Sequence, residues 1–227
     1  MHSLKKIARI AGVLRQAYRP SRPGRHRENP LDSLIQTLLS QNTTDQNSHR
    51  AYVELRERFR TWEAVHQAPL RALASAIRSG GLANIKAVRI KALLDEIWGD
   101  QGHFDLSFLR DLPDDQVEAY LRRFKGIGSK TVACVLLFGL GRAAFPVDTH
   151  VFRVSRRLGL LNGQRTPERA QEFLAPLIRA EDRRELHLGL IQHGRMICRA
   201  QHPRCAECVL LRLCDHGRRV SAAPTAC

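Results

Sequence analysis

Apolar residues recur along most of the chain at the three-and-four spacing of helices that bury one face. Leu31, Leu34, Ile35, Leu38 and Leu39 mark one stripe, with Pro30 near its start and Asp32 or Ser33 in its first turn. Ala51 to Phe59, carrying Val53 and Leu55, predicts a second helix. Leu70 to Ile77 predicts a third, stopped by Gly80-Gly81 in the manner of a C-cap. Ile85 to Trp98 follows, with Val88, Ile90, Leu93, Leu94 and Ile97 as its apolar positions. Leu112-Pro113-Asp114-Asp115 opens a helix running to Phe124. From Lys130 to Leu140 almost every position is apolar, so that helix is expected to be buried. Beyond Asp148, helices are expected over Thr149 to Leu158, Glu168 to Arg179 and Glu185 to Cys198. No segment alternates with the strand period, and no repeat is found. Loops are expected at Pro20 to Asn29, Gly99 to Asp105 and Asn162 to Pro167. The small, polar tail after Asp215 is expected to be disordered.

Met1 to Arg27 contains no acidic residue, as organelle transit peptides do not. Leu4, Ile7, Ala8, Ala11 and Leu14 fall on one helical face, however, and that periodicity favours a first helix. No secretory signal is expected, because Lys and Arg interrupt the early apolar residues. The longest apolar run, Val132 to Phe138, is far too short to span a bilayer. A cytoplasmic, nucleoid-associated protein is therefore expected. The 227 residues carry 37 Lys and Arg against 22 Asp and Glu, a net charge of +15. The excess is spread from Arg9 to Arg219, so nucleic acid heads the list of partners and anionic membrane comes second.

Gly126-Ile127-Gly128-Ser129-Lys130-Thr131 sits between two of the expected helices. Two glycines one residue apart permit a sharp turn and close approach of the backbone to a ligand. Ile127 can tuck into the core and pin the turn. The helix beginning at Ser129 would aim its N–H groups and positive dipole end out of the turn, which suits a phosphate. Lys130 stands at that helix start, followed by Val132, Ala133, Val135 and Leu136. Partial burial and the dipole would both favour its neutral amine, a nucleophile able to form a Schiff base. The plainer reading is a lysine contacting phosphate. Asp148, in Val147-Asp148-Thr149-His150, is expected to cap a helix. A capping carboxylate can also serve an amine across a cleft.

Cys198, Cys205, Cys208 and Cys214 are spaced by six, two and five residues. Disulfides are not expected in a reducing compartment, and four thiolates in so short a stretch suit Zn²⁺ or a [4Fe–4S] cluster. With only one Cys-x2-Cys pair, the spacing fits a cluster better than structural zinc. Arg199, His202 and Arg204 add positive charge to the first intercysteine loop. Cys134 reads as a core thiol and Cys227 as a tail residue.

The Gly126–Thr131 hairpin, Val147-Asp148-Thr149-His150 and the 6-2-5 cysteine spacing, in this order, resemble the endonuclease III family. These are base-excision DNA glycosylases of the helix–hairpin–helix superfamily. The resemblance runs from about Pro30 to Cys214 and includes His193-Gly194-Arg195. It implies an all-α, two-lobed fold. One lobe, residues 30–142, would be a six-helix domain carrying the hairpin. The other would join residues 1–29 to 143–227 around a [4Fe–4S] cluster held by Cys198, Cys205, Cys208 and Cys214. Double-stranded DNA with damaged bases or abasic sites would lie across the cleft between them, bound by a monomer. The resemblance assigns catalysis to Lys130 and Asp148. It assigns DNA contacts to Gly126, Ile127, Gly128 and Ser129. A flipped base leaves a gap in the stack that a side chain must fill. The family uses a leucine after glycine, here Leu82, and a glutamine, which falls on Asn42 with Gln41 one place earlier. A core role closing the preceding helix is the alternative for Leu82. Ala83 and Lys125 depart from the family's usual aromatic residue and proline, which bears on substrate range.

The implied reaction is excision of oxidised pyrimidines with strand cleavage at the resulting abasic site, through a Lys130 Schiff base and β-elimination. The alternative is a monofunctional glycosylase for alkylated purines or mismatched bases. Such enzymes usually lack the lysine. The adenine-specific branch has a Glu where Thr37 stands, and its C-terminal domain is not expected here. A non-catalytic iron–sulfur DNA-binding protein would leave Lys130 and Asp148 without a role.

Overall fold

Helices of this length are marginal in water, so each must cover its apolar face with a neighbour. The computed structural model describes residues 2–19 and 29–222. Among them there is no strand. The α-helices are α1 (His2–Tyr18), α2 (Pro30–Leu39), α3 (Asp45–Arg58), α4 (Trp62–Gln67), α5 (Leu70–Ala76) and α6 (Ala83–Gln101). They continue with α7 (Asp114–Arg122), α8 (Ser129–Cys134), α9 (Thr149–Arg157), α10 (Pro167–Leu174), α11 (Arg183–Met196) and α12 (Asp215–Ala222). The chain divides into two units, Met1–Arg25 with Ala143–Cys227, and His26–Arg142.

In the second of these units, α2 is apolar on nearly every side, and α3, α6 and α8 pack around it. Asn29 Oδ1 accepts from the Leu31 N–H at 3.0 Å and starts the helix. Beyond α8 the helix widens into a π-turn over Val135–Gly139, where the Leu140 N–H bonds to the Val135 carbonyl at 2.9 Å. A Cβ placed on Gly139 would come within 3.0 Å of Ser33 Cβ and 3.4 Å of Pro30 Cα. Glycine there lets the extension of α8 reach the start of α2.

In the other unit, α11 packs against both α1 and α9. Ile7, Ile10, Ala11 and Leu14 of α1 share one core with Val151, Val154, Leu186 and Leu190. Arg183 ties this unit's turns together by donating to the carbonyls of Ala143, Ala175 (2.6 Å) and Ile178 (3.1 Å).

Several expectations are corrected. On α1, Leu4 and Ala8 are exposed, and Ile10 takes the place in the core. Val53, Ile85 and Val88 face solvent as well, because their helices bury narrower stripes than the sequence suggests. The second expected helix starts at Asp45 rather than Ala51, since Thr44 caps it by accepting from the Asn47 N–H. Thr61 likewise starts α4, which periodicity alone did not reveal in six residues. α6 runs on to Gln101, and α10 stops at Leu174, followed by a 3-10 turn. Most of the loop expected at Pro20 to Asn29, together with Cys227 and the last residues of the tail, lies outside the described residues.

Disorder is expected after Asp215 from the sequence, but the described part of that tail, to Ala222, forms α12. Its anchor is Asp215, which accepts from Lys6 Nζ at 2.9 Å and from Arg218 at 2.8 Å. Lys6 also donates to the Leu158 carbonyl at 2.5 Å, so one ammonium joins α1, the end of α9 and the start of α12. These bonds hold the Asp215 carboxyl below its ordinary range.

The same contact makes a prediction. Gly159 and Gly163 both have positive φ, 74° and 84°. A Cβ on Gly159 would overlap the Asp215 carboxylate, whereas one on Gly163 meets nothing within 4 Å. Gly163→Ala is expected to cost about 1 kcal/mol through the backbone alone. Gly159→Ala should cost roughly 1–2 kcal/mol more, as Asp215 is displaced. Thermal denaturation of both variants measures the difference, and equal losses would mean that α12 is not anchored there.

Candidate functional site

α7 ends at Arg122, and the Ile127 N–H closes the following turn on the Phe124 carbonyl at 3.1 Å. Ile127 is buried and pins the turn to the core, as its sequence position between two glycines suggests. The two glycines differ. Gly126 has φ +88°, a region that side chains disfavour. Gly128 is extended (φ −104°, ψ −179°), which any residue adopts. The turn therefore requires glycine at 126 alone. A Cβ on Gly128 would meet no protein atom within 4 Å, so its surface is open to a ligand. Ser129 starts α8, and Lys130 lies half-buried in its first turn, with Thr131, Val132 and Ala133 buried behind it.

Two further turns of this unit carry the other residues singled out. After α2, Gln41 is half-buried and its Oε1 accepts from Arg89 at 3.0 Å. Asn42 is exposed at the tip, left-handed at φ +53°. After α5 and the 3-10 turn Arg78–Gly80, Leu82 stands before α6 in a left-handed conformation (φ +50°, ψ +35°), its surface 51% exposed. A core role for Leu82 is thereby excluded. Among non-glycine residues such backbone is uncommon, and least expected of a bulky apolar one.

α6 joins these turns. Lys86 is 1% exposed, and its Nζ donates to the Leu39 carbonyl at 2.7 Å and the Gly80 carbonyl at 2.8 Å. Burial, and then the charge of Arg89, lower its pKa. One turn on, Arg89 reaches Gln41 and lies beside the hairpin, its Nε 3.8 Å from where a Gly126 Cβ would stand. Sequence reasoning passed over both residues. The signal was available for Lys86, which occupies the buried stripe of Ile90, Leu93, Leu94 and Ile97.

In the other unit, Asp148 caps α9, its Oδ1 accepting from the Val151 N–H at 2.7 Å. The strand-like segment before it is held from two helices. His187 Nδ1 lies 2.9 Å from the Pro146 carbonyl, which can only accept, and the Val147 N–H donates to Gln171 Oε1 at 3.3 Å. Phe145 and Val147 are buried.

Cys198, Cys205, Cys208 and Cys214 line one pocket together with Arg157, His193 and Gly217. None of the four is in a disulfide. Three of the sulfurs meet nitrogens: Arg157 reaches Cys198 at 3.4 Å, His193 Nε2 lies 3.5 Å from Cys208, and the Gly217 N–H donates to Cys214 at 3.3 Å. Burial lowers the His193 pKa to about 4 and raises that of Tyr18 to about 12, so both stay neutral. The Tyr18 hydroxyl, 2.7 Å from His193 Nδ1, can then donate to it and leave Nε2–H facing Cys208. Among the described residues no group of His, Cys, Asp or Glu converges closely enough to hold a single metal ion. The four cysteines share one pocket lining, and nitrogens lie beside three of their sulfurs, the kind of contact that an anionic group held by thiolates receives. Arg199, His202 and Arg204 are exposed on the adjoining loop, and Cys134 is buried in α8.

Known proteins resemble this arrangement. The family model for HhH-GPD superfamily base excision DNA repair proteins matches residues 35–180. Endonuclease III of Thermotoga maritima is 35% identical over 201 residues, 87% of this chain and 88% of its own. DNA glycosylase/AP lyase ROS1 of Arabidopsis thaliana is 36% identical over 68% of this chain, which spans 12% of that relative. Another Arabidopsis thaliana protein, a DNA glycosylase homologue 41% identical to the chain, is spanned to 58% of its length. A solved non-covalent endonuclease III–DNA complex superposes with a TM-score of 0.80 at 30% identity, covering 97% of this chain and 99% of that one.

The hairpin geometry separates its two glycines experimentally. Gly126→Ala is expected to cost about 1–2 kcal/mol of stability, because alanine must enter the positive-φ region. Gly128→Ala should leave the melting temperature unchanged. Comparable losses at the two positions would contradict the turn described.

Proposed function

Because the chain belongs to the HhH-GPD superfamily of base excision DNA repair proteins, we propose that it is a DNA glycosylase with AP-lyase activity, acting on damaged, mainly oxidised, pyrimidines in duplex DNA. The observation that carries this reading is Lys130, held at the start of a buried helix directly after the Gly126–Gly128 turn. Monofunctional glycosylases of the superfamily usually lack a lysine there.

The net charge of +15 draws the chain to the phosphate backbone. The hairpin receives a phosphate on the open face of Gly128, where the first turn of α8 presents its positive end. Leu82, exposed and unpacked, enters the stack as the damaged base leaves it, and Asn42 fills from the second turn. Gln41 is held by Arg89, which leaves Asn42, not Gln41, free to act at the tip.

Chemistry then proceeds at C1′ of the flipped nucleotide. The Lys130 amine attacks C1′, the bond to the base breaks, and the base departs with a proton. Loss of the amine proton and opening of the sugar yield a Schiff base. Removal of a 2′ proton then expels the 3′ phosphate, cutting the strand 3′ to the lesion. The carboxylate of Asp148 stabilises positive charge developing on the sugar and, as a base, takes up the proton that the amine loses. Its cap bond to Val151 fixes the carboxylate's direction. Cys198, Cys205, Cys208 and Cys214 would hold a [4Fe–4S] cluster, which when bound cross-links the segment from α11 to α12.

Two measurements test this. Borohydride should trap the protein on abasic-site DNA, and Lys130→Ala should abolish trapping while DNA binding survives. Persistent trapping in the variant would assign the nucleophile elsewhere. Iron analysis of anaerobically purified protein should find about four irons per chain. Substituting Cys208 should lower that number, and stoichiometric zinc without iron would refute the cluster.

A further inference from the structure

Among the described residues of the 26–142 unit, Lys86 is the most deeply buried charged side chain, and the reaction makes no use of it. Its acceptors are not carboxylates. Leu39 is the last residue of α2, and Gly80 is the last residue of the 3-10 turn Arg78–Gly80. Carbonyls at helix ends have no partner within the helix and carry the negative end of its dipole. The ammonium thus sits between two helix C-termini, in place of a counter-ion. Its backbone N–H also holds the Leu82 carbonyl at 2.9 Å.

From each of these anchor points the chain runs only a few residues to an exposed, left-handed tip. Asn42 lies three residues beyond Leu39, and Leu82 two residues beyond Gly80. Asparagine adopts this region readily, but a leucine does so under strain, which persists only where the surroundings over-determine it. Neither tip packs its side chain into the core, so the determination must come from beneath, and Lys86 is the group that touches both turns.

We propose that Lys86 is a positioning residue that sets the spacing between the two stack-filling turns, so that Leu82 and Asn42 enter the duplex together. The proposal rests on the reading of Leu82 as the residue that replaces the flipped base. Arg89, bridging Gln41 and the hairpin one turn later, extends the same frame to the phosphate-binding turn.

A double-mutant cycle tests it on the full chain, with two substrates: a duplex bearing a paired lesion and one bearing a preformed abasic site, where little remains to be flipped. Leu82→Ala should slow base excision about tenfold or more and strand cleavage at the abasic site by less than about threefold. Lys86→Met should show the same split. Because part of its effect passes through Leu82, the double variant should excise clearly faster than the product of the two single losses predicts. If Lys86→Met does not yield folded protein, Lys86→Gln, which keeps one donor, replaces it in the cycle. Multiplying effects, or a Lys86 variant that lowers both activities equally along with the melting temperature, would make the residue merely structural and overturn the proposal. If Leu82→Ala shows no split, the stack-filling reading itself fails, and the Lys86 proposal with it.

Discussion

Every helix that ends inside a protein leaves carbonyl oxygens that its own hydrogen bonds cannot reach, and a chain built of short helices has many such ends. Here they are met by cations. Lys86 serves the ends of α2 and of the turn before Leu82. Arg142 donates to the carbonyls of Leu109 and Arg110 at the end of a 3-10 turn and Arg153 to that of Gly194 in the last turn of α11, while Arg153 and Arg157 also hold the loop carbonyls of Cys198, Arg199 and Ala200. Arg183 and Lys6 do the same elsewhere. An arginine or lysine suits this task because it only donates, and its charge is favoured at the negative end of a helix dipole.

This changes what the basic composition means. A net charge of +15 reads as a surface for polyanions, yet part of it holds the fold together from within. α9 shows the division of labour. Arg153 and Arg157 turn inward and carry the cysteine segment on their guanidinium groups, while Asp148 at the opposite end of the helix caps its N–H groups. The same nine residues thus orient a carboxylate and support a sulfur-lined pocket.

In the 26–142 unit the inward cations act on turns that carry exposed residues. Lys86 and Arg89, three residues apart on α6, reach the turn after α2, the turn before Leu82 and the hairpin at Gly126. Local strain at Leu82 is compatible with a well-packed unit because the strain lies beyond these anchors. The stability is invested in the frame, and the tips stay free for a ligand.

The helices with strong periodicity, the all-α class, the cap at Asp148 and the buried helix after Lys130 were legible in the sequence, because burial and capping leave a pattern that each segment carries by itself. So was the likeness of the hairpin and the cysteine spacing to a repair family, since short ordered motifs need no three-dimensional context. α4 was too short for its periodicity to register, and α12 was hidden by its polarity, because its anchor, Lys6, lies 209 residues away. Leu82 was ambiguous in sequence: a leucine after two glycines can close a core or project from it, and only its left-handed backbone and open surroundings decide. Lys86 could be marked in sequence as a lysine in an apolar stripe, but that pattern does not say which carbonyls it meets, and Arg89 carried no such mark. Local pattern determined which segments are helical and where chemistry can start. The tertiary structure decided where the helix ends come to rest, because the carbonyls at those ends find their partners only across long sequence separations.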